Sequence, residues 1–184
     1  RITQGEMPSL TPLGKTVDTL PSPGTSFVGR QSELFQINRR LRDPQCRLLT
    51  LIGPGGCGKT RLAISVAQIC ADAYPDGVHF IPFEAVQHAD AIVPTIAKGL
   101  NFTIDDFASR LDPELQLSDY LARRSLLIVL DGFEGMAPYA ERLLFFVEKA
   151  PRVKFLVTSR HTLDLAQEWI LQIGGFPFLS HCYF

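Results

Sequence analysis

Five apolar runs divide the chain: RLLTLI (47–52), GVHFIPF (77–83), SLLIVLD (125–131), VKFLVTSR (153–160) and EWILQI (168–173). Each is continuous rather than alternating. That is the pattern of strands buried on both faces, as in a parallel sheet. Between them lie segments with helical spacing. In RQSELFQINRRLRD (30–43), Leu34, Ile37 and Leu41 share a stripe, and Pro44 stops the helix. TRLAISVAQICADAY (60–74) predicts a helix closed by Pro75, and ADAIVPTIAKGL (89–100) one interrupted near Pro94. PELQLSDYLARR (113–124) and PYAERLLFFVEKA (138–150) complete the set. Strands alternating with helices predict an α/β fold, a three-layer core around a mostly parallel five-stranded sheet.

The stretch before this pattern, residues 1–26, is proline-rich and without period, and reads as a linker or N-terminal arm. The core is expected over 27–178, with a short C-terminal tail at 179–184. The chain begins without Met and ends on the apolar FPFLSHCYF, which predicts a piece of a longer protein.

GPGGCGKT (53–60) follows the first strand and opens the second helix. Glycine weakens both helices and strands, so such a cluster needs a reason. The spacing fits G-x-x-x-x-G-K-[ST], with Gly53, Gly58, Lys59 and Thr60 at the fixed positions. Gly55, Gly56 and Cys57 complete the loop, and Arg61 follows it. A backbone that turns its N–H groups around a phosphate needs residues lacking a Cβ. The helix behind it presents its positive end to the same anion. Lys59 would supply a charge to the β- and γ-phosphates, and Thr60 a hydroxyl to Mg²⁺. A tight strand-to-helix turn is the plainer alternative.

A phosphate loop of this type needs a metal-side acid on a neighbouring strand. Asp131 ends the most apolar strand and fills that place. Glu134 lies three residues on; it either polarises an attacking water or is a helix-start acid. Arg160 ends the next strand, where ligands gather in open α/β sheets. It either senses a γ-phosphate or is a surface arginine.

Composition narrows the function. Apolar residues make 46% of the chain and charged residues 20%, with formal net charge −1. This disfavours broad electrostatic binding of nucleic acid or of an anionic membrane by this segment. No run reaches the roughly 18 apolar residues of a membrane helix. Cys46, Cys57, Cys70 and Cys182 form no metal-ligand spacing and read as reduced thiols of a cytoplasmic protein, with Cys57 placed where an oxidant would block the loop.

Taken in order, FVGRQSEL (27–34), LLTLIGPGGCGKTRLA (48–63), LLIVLDGFE (126–134), VKFLVTSR (153–160) and EWILQIGGFP (168–177) resemble the AP-ATPase or NB-ARC nucleotide-binding domain of STAND-class signalling ATPases. Such domains occur in large bacterial transcriptional regulators with TPR-like repeats. The resemblance implies an ATP/ADP switch with slow Mg²⁺-dependent hydrolysis, coupled to an effector and often to nucleotide-dependent homo-oligomerisation. It implies that Val28, Gly29 and Arg30 lie beside the adenine, that Asp131 holds Mg²⁺, and that Arg160 distinguishes ATP from ADP. Relatives commonly carry DNFEH where this chain reads DGFEG, so Gly132 replaces a polar side chain and Gly135 a histidine. The helical and winged-helix lid of the family has no counterpart within these residues. A binding module with negligible turnover and an AAA+-like mechanical ATPase are the alternatives. A guanine-reading N-K-x-D pattern is absent, and a small-molecule kinase leaves FVGR without a role.

Overall fold

A computed structural model of the chain describes residues 30–105 and 112–174. The expected arm at 1–26 and tail at 179–184, together with Val28, Gly29 and Cys182, lie outside the described residues.

Five strands form one sheet: β1 (Leu48–Ile52), β2 (Val78–Pro82), β3 (Leu127–Asp131), β4 (Lys154–Ser159) and β5 (Glu168–Gln172). Their order is β2-β3-β4-β1-β5, and every pair is parallel. The helices are α1 (Gln31–Arg42), α2 (Lys59–Cys70), α3 (Ile92–Gly99), α4 (Pro113–Ala122) and α5 (Glu141–Lys149). The strand order corrects one expectation. The strand carrying Asp131 does not adjoin the strand that feeds the glycine loop, because β4 lies between β3 and β1.

Side chains alternate across the sheet, so each strand feeds two cores. Leu49 and Leu51 of β1, Leu127 and Val129 of β3 and Leu156 of β4 pack with α1 and α2. Leu48, Ile128, Leu130, Phe155 and Val157 face the other way, toward α3, α4 and α5. The same alternation carries Asp131 and Thr158, two residues beyond Val129 and Leu156, to the α2 side.

Local chemistry fixes the helix ends. Asp112 accepts the Glu114 amide at 2.8 Å, and Pro113 occupies the first helical position of α4. Pro94 does not interrupt its helix as expected. It sits in the first turn of α3, where a missing N–H costs nothing, and a 3-10 turn at Ala89–Ala91 precedes it. Helix α2 also ends earlier than expected, at Cys70, and passes into a 3-10 turn at Ala71–Ala73. Pro138 likewise falls in a 3-10 segment, Phe133–Tyr139, ahead of α5.

Two half-buried cations tie the ends of elements to the sheet. Arg47 donates to the carbonyls of Val147, Ala150 and Val153 around the C-terminus of α5. Lys154 donates to Leu41 O at 2.7 Å and Asp43 O at 2.6 Å beyond α1. Carbonyls at helix C-termini lack intrahelical donors, and a cation there meets both the orphan groups and the dipole.

Candidate functional site

The loop from Gly53 to Gly58 leaves the end of β1 and enters α2. Gly56 (φ 74°) and Gly58 (φ 92°) hold the left-handed conformation, and a Cβ on either would point into open space. Gly53 is glycine for another reason: a Cβ there would stand 2.4 Å from the Ile173 carbonyl oxygen at the end of β5. No side chain caps the N-terminus of α2, so its first amides face the loop without a side-chain acceptor. Lys59 is buried, and its ammonium donates to Gly53 O at 2.8 Å and Pro54 O at 3.0 Å. The cation is thus held inside the concavity of the loop.

Asp131 ends β3 nearly buried. Its Oδ1 accepts from the Thr60 hydroxyl at 2.8 Å and from the Thr158 hydroxyl at 2.6 Å. Thr158 in turn accepts the Gly132 amide at 2.9 Å. The ends of two strands, β3 and β4, and the start of α2 therefore converge on a single carboxylate oxygen. Thr158 was not singled out in the sequence; the signal available was its place in VTSR, two residues beyond inward-facing Leu156.

Gly132 takes φ 72°, and a Cβ on it would stand 2.5 Å from Cγ of Glu84, which leaves the end of β2. The left-handed turn swings the chain out of the sheet into the 3-10 segment that carries Glu134. Glu134 occupies the first turn of that segment, as the helix-start reading expects, yet its Oε1 lies 3.0 Å from Arg160 Nε. The Arg160 guanidinium lies over the glycine loop: its Cζ and Nη2 are 3.9 Å from where a Gly55 Cβ would be. It is exposed, but it is not an unattached surface arginine.

The remaining expected residues are more dispersed. Arg30 is the left-handed residue ahead of α1, and its Nη2 donates to Gly174 O at 2.9 Å, tying the start of the described chain to the end of β5. Arg61 lies exposed in the first turn of α2. Cys57 is buried within the loop, and Cys46, Cys57 and Cys70 are free thiols. Burial pushes the Cys46 thiol up to about 11 and raises that of Cys70, so both are protonated at neutral pH.

The donors present fit a magnesium-bound polyphosphate. Open glycine positions, a buried ammonium and an uncapped helix start form a cradle for phosphate oxygens. A hydroxyl and a carboxylate 2.8 Å apart suit a hard cation that keeps several waters. Among the described residues no group of three His, Cys, Asp or Glu could hold a metal by itself.

An all-parallel sheet with this loop at the end of a central strand, opening a helix, defines a P-loop NTPase fold. Solved structures agree: Cdc6p from Pyrobaculum aerophilum superposes with TM-score 0.62 at 18% identity, over 86% of this chain and 48% of that one. A STAND protein with a tetratricopeptide repeat sensor from Pyrococcus horikoshii superposes with TM-score 0.52 at 15% identity, over 86% and 25%. Residues 30–168 match the NB-ARC domain, and the chain belongs to that family. Among curated proteins it is 30% identical over 145 residues to the uncharacterized protein Rv0894 of Mycobacterium tuberculosis. It is 31% identical over 125 residues to the putative HTH-type transcriptional regulator Rv0890c of the same organism, and 26% identical over 156 residues to the regulatory protein AfsR of Streptomyces griseus. These matches cover 78%, 67% and 80% of this chain. The chain spans 36%, 14% and 16% of their lengths. No described helix is long and apolar enough to cross a membrane.

Proposed function

We propose that the chain is the nucleotide switch of a larger regulator. It binds ATP or ADP with Mg²⁺ at the Gly53–Thr60 loop, hydrolyses ATP slowly, and passes its state to attached domains. The observation that carries this reading is the Thr60 hydroxyl 2.8 Å from Asp131, across three strands at the mouth of the glycine loop. In this reading the loop amides and Lys59 take the phosphates, while Thr60 and Asp131 take the metal. Magnesium, when bound, supplies positive charge to the β- and γ-phosphate oxygens. Thr158 fixes the carboxylate, Glu134 orients water, and Arg160 responds to a third phosphate. Adenine rather than guanine rests on the family, with Val28, Gly29 and Arg30 beside the base. The regulator names among the relatives favour an effector or DNA-binding output located outside this chain. The family also favours a cytoplasmic protein whose copies associate in a nucleotide-dependent way.

A second reading, a binding module with negligible turnover, is favoured by the Arg160–Glu134 pair, which engages the candidate water-orienting carboxylate. Calorimetry with ATP and ADP in the presence of Mg²⁺ tests binding. The full protein is expected to bind both, and Lys59→Ala to weaken each at least about tenfold, the loss of one charge-assisted contact. Absence of heat from either nucleotide at millimolar concentration would refute the proposal. Turnover in wild type that Glu134→Gln abolishes while nucleotide binding is retained selects the enzyme; binding without turnover in wild type selects the module.

A further inference from the structure

We infer that Glu134 sets the preference between nucleoside tri- and diphosphate by competing for Arg160. The inference rests on the nucleotide-switch reading above. Arg160 Nε is 3.0 Å from Glu134 Oε1, and among the described residues neither side chain has another polar partner. The two residues come from different elements, the end of β4 and the 3-10 segment after β3, so the contact is tertiary rather than local. The same guanidinium stands beside Gly55 in the phosphate loop.

One cation thus faces two acceptors: a carboxylate already bonded to it and the anion the loop is built to hold. A triphosphate brings more negative charge to the loop than a diphosphate does. Arg160 holds Glu134 through Nε and presents Nη2 to Gly55, so an anion that draws the guanidinium toward the loop weakens its hold on Glu134, and the smaller charge of a diphosphate draws it less. The competition is modest, because the pair is solvated. Arg160 is 61% exposed, and a cleft of about 460 Å³ opens beside Glu134. Exposed ion pairs are weak, so losing the competitor should change affinity only a few-fold. Glu134 acts through Arg160 and is therefore a positioning residue in nucleotide discrimination. Released from the pair, the same carboxylate becomes available to water, so recognition of the third phosphate and readiness for hydrolysis are linked.

The test is equilibrium binding of ADP and of a non-hydrolysable ATP analogue, with Mg²⁺, to the full protein. Glu134→Gln is expected to raise the analogue-to-ADP affinity ratio about two- to five-fold over wild type. Glu134→Asp, which keeps the charge, should lie closer to wild type. In an Arg160→Ala background the Glu134→Gln effect should disappear. An unchanged or lowered ratio in Glu134→Gln overturns the inference. So does a raised ratio that persists without Arg160, which would mean simple repulsion between carboxylate and phosphate. Binding of neither nucleotide to wild type would instead remove the switch reading, and this inference with it.

Discussion

Thr50 and Thr158 sit on adjacent strands, at 0% and 1% exposure, and differ in what their hydroxyls meet. Thr158 donates to Asp131 and accepts from Gly132. The Thr50 hydroxyl, among the described residues, has no partner. Valine replaces threonine with little change of shape, so the same substitution at both positions isolates the hydroxyl. At Thr158 it removes a bond to a carboxylate, worth about 1.5–3 kcal/mol, and orphans an amide at a further cost of about 1 kcal/mol. Thr158→Val should therefore destabilise by about 3 kcal/mol. At Thr50 it deletes an unpaired buried polar atom, and the expected change is a gain of about 1 kcal/mol.

Urea unfolding followed by far-ultraviolet circular dichroism measures both. With a slope of about 2 kcal/mol per molar urea, the two variants should straddle the wild type, their midpoints about 2 M apart. The slopes themselves should not change. Equal destabilisation by the two substitutions would refute the reasoning, because it would mean that shape rather than hydrogen bonding decides at both sites.

Other features make further demands. Arg47→Met strips the carbonyls of Val147, Ala150 and Val153 of a shared donor and should cost about 2–3 kcal/mol in the same urea assay, with Arg47→Lys recovering part. His79 is buried on β2 with Nδ1 3.3 Å from Gly99 O, and burial pulls its pKa below the ordinary imidazole value. The unfolded chain then binds a proton that the folded chain refuses. Its contribution is intact above about pH 6.5, the unfolded value, and is lost as pH falls from there through the folded value. His79→Gln should flatten the part of the pH–stability profile that lies below about pH 6.5.

Much of the fold was legible because its signals are local. Continuous apolar runs such as SLLIVLD mark strands covered on both faces, and β3 falls within that run. The glycine loop was legible from its spacing and its place between strand and helix. Strand order was not, since no local signal says which buried strand pairs with which; hence Asp131 was expected beside β1, and β4 intervened. Thr158 was hidden for the same reason. Its role depends on a register that brings the end of β4 level with the ends of β1 and β3. Arg47 reads as an ordinary charge before a strand, and only the tertiary arrival of α5 makes it a cap. Pro94 misled because proline breaks a helix interior but is harmless in a first turn.

Gly132 shows that one departure can carry two meanings. Against the DNFEH that the family resemblance leads one to expect, glycine here reads as the loss of a polar group. The backbone offers a different account. At φ 72° a side chain is strained, and asparagine and glycine are the residues that tolerate it best. The substitution therefore preserves the turn while emptying the position, and Glu84 fills the space, its Cγ 2.5 Å from where a Cβ would lie. What survives is the change of direction after Asp131, and that change delivers Glu134 to Arg160. The two candidate carboxylates, Asp131 for the metal and Glu134 for water, are thus placed by one peptide turn: its amide is held by Thr158 and its exit aimed at the end of β4. A movement of Arg160 over the loop would be felt at Glu134, and through that turn at Asp131.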